Sequence, residues 1–166
     1  MKQQKRIKKR SQKREQKGAK EISGRAHVAS GALWFKKGDF SNEHFLVEDK
    51  FTDKDAYSIS LTTLRRIEKQ AMKVLKVPVL CVGFERIKYD IAILRKKDLS
   101  SGSPFFITET KRKSMRVKDQ AMKQLFLNNT KQPSIVQLDF IEEEQINSYC
   151  IMEWFAFVEH QALFLC

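Results

Sequence analysis

Three residues close together in the chain, Asp39, Glu48 and Lys50, are of types that carry out metal-dependent chemistry. Asp39 closes the turn KKGD, and the alternating segment HFLVEDKFT predicts a strand over residues 44–52. Side chains two residues apart in a strand point to the same face, so Glu48 and Lys50 are expected side by side. A short hairpin between the turn and the strand would bring Asp39 to them.

The chemistry that suits this trio is hydrolysis of a phosphodiester. Carboxylate oxygens are the ligands that Mg²⁺ prefers, so we expect Mg²⁺ on Asp39 and Glu48, with Mn²⁺ as a substitute. A lysine beside the metal can orient the attacking water and offset the charge of the transition state. A structural interpretation stays open, because KKGD is a common surface turn and a solvated Glu–Lys pair contributes less than ~1 kcal/mol.

The elements around the trio predict an α/β fold. A charged segment over residues 5–22 indicates a helix that ends near Gly24, and residues 25–38 indicate a strand or hairpin bent at glycines. Apolar residues recur at helical spacing over 61–76, and Pro78 is expected to end that helix. The apolar runs PVLCVGF and YDIAIL then predict two strands joined by a polar turn.

The C-terminal part of the chain repeats some of this pattern. The motif E-x-K occurs at Glu48 and Glu109, and the tetrapeptide QAMK begins at Gln70 and Gln120. Residues 105–166 are therefore expected to form a β-α-β-β extension, a degenerate repeat in which CIMEWFAFVE is the last strand. Glu109 and Lys111 lack a preceding aspartate, which favours a decayed or structural copy. The aromatic ending of the chain requires burial in the core or against a partner subunit, which suggests dimerisation.

Charge and composition indicate a nucleic-acid partner. The formal net charge is +12, and residues 1–20 form a basic arm whose single acidic residue is Glu15. Such an arm suits a polyanion, whereas its few apolar residues argue against membrane insertion. No apolar run is long enough to span a membrane and no signal-peptide pattern follows the basic start, so we expect a cytoplasmic protein. The three cysteines and three histidines show no zinc-site spacing.

Two motifs resemble those of a known nuclease superfamily. GD at 38–39 with VEDK at 47–50 resembles the PD-(D/E)XK signature, with Gly38 in place of the proline. RAHVASGA at 25–32 is similar to a segment of archaeal-type and phage Holliday junction resolvases. The resemblance implies a restriction-endonuclease-like core over residues 12–98, with a mixed sheet and the order αβββαβ. It also implies a homodimer whose two active sites cut a four-way DNA junction.

The resemblance also implies roles for further residues. A glutamate of the first helix completes the metal site, for which Glu15 is preferred over Glu21. Ser30 would contact the scissile region, and the carbonyl of Asp49 would complete the metal shell. The expected DNA-binding residues are basic or polar side chains near the site and on the 61–76 helix: Arg25, His27, Lys36, Lys37, Arg65, Arg66, Lys69 and Lys73.

Two other functions fit the same sequence. A restriction or repair nuclease would share the core and the metal site, because one fold hosts many substrates. A noncatalytic nucleic-acid-binding protein would need only the basic arm and a small mixed domain. Metal-dependent cleavage that is lost in Asp39→Asn separates the nuclease functions from the binding protein.

Overall fold

The computed structural model describes residues 2–27, 38–99, 106–110, 114–127 and 135–161. The predicted site residues Ser30, Lys36 and Lys37 lie outside these ranges, as do most of the glycine-bent segment and Lys111. The helices are α1 (Lys2–Glu21), α2 (Leu61–Met72), α3 (Asp119–Leu127) and α4 (Trp154–Glu159), with a short 3₁₀ turn at Lys96–Asp98. The strands are β1 (Arg25–Ala26), β2 (Phe40–Ser41), β3 (Phe45–Thr52), β4 (Ala56–Ser60), β5 (Val77–Phe84), β6 (Tyr89–Arg95), β7 (Phe106–Thr110), β8 (Ser114–Lys118), β9 (Val136–Glu142) and β10 (Gln145–Glu153).

The protein is built on one mixed sheet flanked by helices, so the mixed α/β class predicted from the sequence is confirmed. The strand order is β1-β2-β3-β5-β6-β10-β9-β7, and β4 and β8 form a separate two-stranded ribbon. The pairs β3–β5 and β7–β9 are parallel, and the other neighbouring strands are antiparallel. Within the described residues, no helix is long and apolar enough to cross a bilayer.

Each face of the sheet has its own hydrophobic core. On one face, α2 packs Leu64 and Ile67 against strand residues of both halves of the sheet, and Phe126 of α3 joins them. On the other face, Ile22 after α1 meets Trp154 and Phe157 of α4. Burial of apolar side chains at about 25 cal/mol per Å² is the main stabilising contribution here. Because the sheet is covered on both faces, β5 has the continuous apolar sequence that a doubly covered strand requires.

Part of the aromatic ending is buried within the chain. Trp154 packs edge-on against Phe40, and Phe157 packs edge-on against Phe45. Core packing therefore satisfies these side chains without a second subunit. The predicted final strand CIMEWFAFVE was wrong in its second half, because β10 ends at Glu153 and α4 begins at Trp154.

The helix α2 is shorter than the apolar spacing predicts. It ends at Met72, and Leu75 adopts a left-handed backbone with φ of 53° and is 93% exposed. The backbone N–H of Lys76 then donates to the carbonyl of Ala71, which closes the helix end. Pro78 lies within β5, opposite Leu46 of β3, and does not terminate the helix.

The same succession of elements occurs twice in the chain. β3, β4, α2, β5 and β6 are followed by β7, β8, α3, β9 and β10, and the two sets meet where β6 pairs with β10. The short sequence matches do not coincide with this structural repeat. Gln70 lies near the end of α2 whereas Gln120 is the second residue of α3. Position 109 pairs with Asp139, which places it on the opposite face of the sheet from Glu48.

Candidate active site

Asp39 is held at the start of the β2–β3 hairpin by two hydrogen bonds to β3. Its backbone N–H donates to the carbonyl of Val47 at 2.8 Å, and its Oδ2 accepts from the backbone N–H of Asp49 at 2.8 Å. Gly38 before it has φ of +73°, and a Cβ there would lie 2.7 Å from the side chain of Leu46. Proline is restricted to φ near −65°, so this backbone conformation excludes proline at position 38.

Glu48 and Lys50 lie on the same face of β3, as the alternation predicted, and are in direct contact. Lys50 Nζ donates to Glu48 Oε1 at 2.7 Å, and a guanidinium nitrogen of Arg66 donates to the same oxygen at 2.9 Å. The glutamate is only 8% exposed. The parallel β3–β5 connection runs through α2, and this crossover places Arg66 above the strand.

The two carboxylates of this site have opposite electrostatic surroundings. Burial and the negative charge of Glu48 raise the pKa of Asp39 to about 6. Burial also favours the neutral form of Glu48, but hydrogen bonds from Arg66 and Lys50 outweigh it and lower the pKa of Glu48. Burial lowers the pKa of Lys50, but the hydrogen bond to Glu48 and the charge of Glu48 outweigh burial, so the pKa of Lys50 is raised. The site therefore holds a charged Glu–Lys pair beside a carboxylate that is reluctant to ionise.

Of the two candidate glutamates of α1, Glu15 is the one whose charge acts on Asp39. The negative charge of Glu15 contributes to the raised pKa of Asp39, and Ser11 donates to its side chain at 2.8 Å. Glu21 instead accepts a hydrogen bond from the indole of Trp154 at 2.8 Å. Glu21 thus has a structural partner in α4, whereas Glu15 is placed to act on Asp39.

The backbone of Asp49 contacts Asp39 in the site, whereas its side chain is buried on the other face of the sheet. Its N–H points to Asp39, and because the N–H and C=O of a strand residue point to the same edge, its carbonyl faces that edge as well. The carboxylate lies on the opposite face, where Arg14 donates to both oxygens at 3.0 and 3.1 Å. Arg14 also contacts Asp90 at 3.3 Å. The side chain of Asp49 is therefore committed to an ion pair with α1.

Tyr57 is a site residue that the sequence analysis missed, and Arg66 was predicted only to bind DNA. Tyr57 lies on β4; burial raises its pKa, and the charges of Lys50, Glu48 and Arg66 all act on it. A cavity of about 460 Å³ extends from Tyr57 to Arg116 of β8. Its walls are formed by residues of β3, β4 and β8 and the β3–β4 turn: Phe51, Thr52, Lys54, Ala56, Tyr57, Ser58 and Arg116.

The predicted DNA-binding residues fall into two groups. Arg25, Lys69 and Lys73 are exposed and open to a ligand. Arg65 pairs with Glu142 at 2.8 Å, and Arg66 is held by Glu48. His27 lies against the hairpin, with Nε2 3.0 Å from Ser41 Oγ and Nδ1 3.3 Å from the carbonyl of Gly38. The histidine therefore contacts the hairpin that carries Asp39.

The donor set of this site suits a hard divalent cation. In the described part of the chain, no three His, Cys, Asp or Glu side chains form a closed metal-binding group. Burial and then the negative charge of Glu48 nevertheless raise the pKa of Asp39, and a cation bound by both carboxylates would offset their repulsion. With the carbonyl of Asp49 they form an all-oxygen set, which is the kind that Mg²⁺ and Mn²⁺ bind.

Comparison with known proteins assigns no family to this chain. No protein-family model matches the sequence, and no curated protein matches it as a relative.

Proposed function

We propose that this protein is a Mg²⁺-dependent, structure-selective DNA endonuclease with a restriction-endonuclease-like core, most specifically a Holliday junction resolvase. The observation that carries the proposal is the hairpin that joins Asp39, through its contact with the Asp49 backbone, to the Glu48–Lys50 pair on β3. The element order also supports it: α1, β1, β2, β3, α2 and β5 follow the order αβββαβ, with β4 inserted before α2.

The residues of the site have distinct tasks in this proposal. Asp39, Glu48, Glu15 and the Asp49 carbonyl would hold Mg²⁺ or Mn²⁺, which supplies Lewis acidity and lowers the pKa of a bound water. Lys50 orients the attacking water and places a cation where the phosphorane charge develops. Arg66 supplies a second cation near the same carboxylate, so that Lys50 can leave Glu48 for the phosphate. Tyr57 borders the site and would guide the DNA strand past it.

The basic surface accounts for binding to DNA backbones. Lys69, Lys73 and Arg25 are exposed on the same half of the molecule as the site, and α1 adds the basic arm. Contacts of this kind go to phosphates, so they give salt-dependent affinity and read the shape of the DNA rather than its sequence. A branched substrate, which presents several backbones at once, fits such a surface best.

A cleavage assay on labelled DNA tests the proposal. Four-way junction, linear duplex and single strand are each incubated with Mg²⁺ or EDTA and with wild type, Asp39→Asn or Lys50→Ala. The matched control is Asp53→Asn, because Asp53 is an exposed carboxylate just beyond β3. We expect Mg²⁺-dependent junction cleavage that both site variants lose and the control retains. Cleavage of duplex alone would indicate a restriction or repair enzyme.

The second candidate function is a noncatalytic nucleic-acid-binding protein. Its support is the Glu48 carboxylate, which two cations already neutralise, as in a purely structural ion-pair network. This function predicts DNA binding without cleavage at any Mg²⁺ concentration. Binding that is unchanged in Asp39→Asn, with no cut product, would overturn the nuclease proposal.

A further inference from the structure

The two halves of the chain face each other as the subunits of a twofold dimer do. β6 pairs antiparallel with β10 at the centre of the sheet, from Arg95 opposite Tyr149 to Ile91 opposite Glu153. The ribbon strands pair antiparallel as well, with Ser58 opposite Arg116 at the middle of both. Two antiparallel pairings between equivalent elements are what one approximate twofold axis generates. The strand order on either side of the axis is the same, from β6 to β5 to β3 and from β10 to β9 to β7.

In the described residues of the second half, the positions equivalent to Glu48, Lys50, Tyr57 and Arg66 carry residues of other types. By strand register, Phe106 and Thr108 of β7 hold the positions equivalent to Glu48 and Lys50. The second residue of the ribbon strand is Tyr57 in β4 and Met115 in β8.

The arginine that contacts Glu48 is also missing from the second half. Arg66 is the sixth residue of α2, and the sixth residue of α3 is Gln124. A carboxylate, a lysine, a tyrosine and an arginine are thus replaced by Phe106, Thr108, Met115 and Gln124, none of which carries a charge at neutral pH.

The second half also occupies the edge through which the first half would otherwise pair with another copy. Without β10, the strand β6 would present its free N–H and C=O groups as an open edge. With β10 in place, Cys150, Ile151 and Met152 are buried at the junction and each is at most 2% exposed. The internal copy therefore takes the position that a second subunit would have there.

We propose that one chain is a fused pseudo-dimer with one catalytic centre, so that it nicks a single strand of DNA in each binding event. This inference rests on the proposed nuclease function. In the nick, water adds to phosphorus and the P–O3′ bond breaks. The 3′ oxygen leaves as a hydroxyl after taking a proton, and the water oxygen stays on the 5′-phosphate. Full resolution of a junction requires two such events, performed by two chains or by one chain that rebinds.

A supercoiled plasmid with an inverted repeat that extrudes a cruciform tests the inference. The first nick relaxes the plasmid and removes the cruciform, so only two cuts within one bound lifetime produce linear DNA. We expect wild type with Mg²⁺ to yield nicked circles with almost no linear product. Linear DNA as the main product would overturn the single-centre inference while leaving the nuclease function intact. A plasmid left uncut would count against the proposed function itself, and against the inference with it.

Two further measurements keep the inference testable on its own. Light scattering at the assay concentration should give a mass near the 19.5 kDa of one chain, and a stable dimer would overturn the inference. An excess of Asp39→Asn mixed with wild type should slow nicking only by competition for DNA. If instead it converts a linear product into nicked circles, two chains act together and the inference fails.

Discussion

The two halves of the molecule share an architecture, but the candidate active site lies in the first. In both, the first strand runs parallel to the strand that follows the crossover helix, and that helix packs on the same face of the sheet. The first half has in addition α1, which carries Glu15, and the β1–β2 segment, which carries Asp39 to the edge of β3. In the second half, only a few residues separate the 3₁₀ turn from β7, too few for a helix and a hairpin. A duplicated scaffold therefore does not by itself duplicate the candidate site, because Asp39 and Glu15 come from elements that precede it.

The largest expected difference between the halves is in catalysis. Neighbouring arginines of α2 bind one carboxylate in each half, Arg66 with Glu48 and Arg65 with Glu142. We expect Glu48→Gln to slow cleavage by about 10²–10⁴-fold, because it removes a metal ligand and the partner of Lys50. The matched variant Glu142→Gln should stay within about twofold of wild type, since it removes an ion pair remote from the hairpin.

Single-turnover cleavage of the labelled junction measures both effects, with circular dichroism to confirm that each variant is folded. Equal losses in Glu48→Gln and Glu142→Gln would show that the α2 arginines matter for stability and not for the site.

The next comparison concerns the carboxylates buried on the α1 face of the sheet. Asp49 is balanced by Arg14, whereas Asp139 accepts from the amide of Gln137 at 2.8 and 2.9 Å. Arg14→Ala should lower the free energy of unfolding by roughly 3–5 kcal/mol, because Asp49 is left buried and unpaired. Gln137→Leu should cost only about 1–3 kcal/mol, the desolvation of an acceptor that has lost its donor.

Urea denaturation gives both free energies of unfolding. The double variant Arg14→Ala/Asp49→Asn should recover much of the loss, since it removes the unpaired charge. If the double variant is as unstable as Arg14→Ala alone, the guanidinium stabilises α1 by packing rather than by charge.

A smaller effect is expected in the pH dependence of stability. Burial and Glu48 raise the pKa of Asp39 to about 6, so folding favours the protonated form of this residue. The stabilisation that protonated Asp39 contributes is fully present below the pKa of an aspartate in the unfolded chain, near 4. It is lost as the pH rises through about 6. In EDTA, the free energy of unfolding of wild type should fall by about 1–2 kcal/mol over this pH range, allowing for solvent screening. Asp39→Asn should lack this slope, and thermal melts at pH 4 to 7.5 compare the two proteins.

The smallest effect tests whether the second half helps to bind DNA. Arg116 of β8 lines the cavity that begins at Tyr57 and pairs only loosely with Asp55, at 3.6 Å. Arg116→Ala should weaken junction binding by about two- to fivefold, the loss of one exposed phosphate contact, with the cleavage rate at saturation unchanged. Lys118→Ala is the control, because Lys118 is exposed on the same strand outside the cavity. Fluorescence anisotropy at two salt concentrations measures junction binding by both variants. Equal weakening in Arg116→Ala and Lys118→Ala would show that only the net charge of the protein matters.

Local patterns were enough to predict several elements and the core of the candidate site. The alternation of HFLVEDKFT predicted β3 and the contact between Glu48 and Lys50, because side-chain direction in a strand depends only on sequence position. The helical spacing after Leu61 predicted α2, although its C-terminal end was placed too late. The turn KKGD predicted the position of Asp39. In each case the interacting residues are near in sequence, so local backbone geometry determines their relative positions.

Only the tertiary structure decided how distant segments combine. β4 and β8 are short and polar and become strands because they pair with each other across the chain. Arg66 and Tyr57 join the site because α2 and the ribbon pack over β3, which no spacing in the sequence encodes. The repeated E-x-K was interpreted as a decayed or structural copy, and strand register places position 109 opposite Asp139, on the other face of the sheet from Glu48. A shift of one residue in register reverses every side chain of a strand, and register is determined by long-range pairing. The sequence alone therefore determined which residues are candidates for chemistry, and the sheet determined that Asp39, Glu48 and Lys50 come together in the first half.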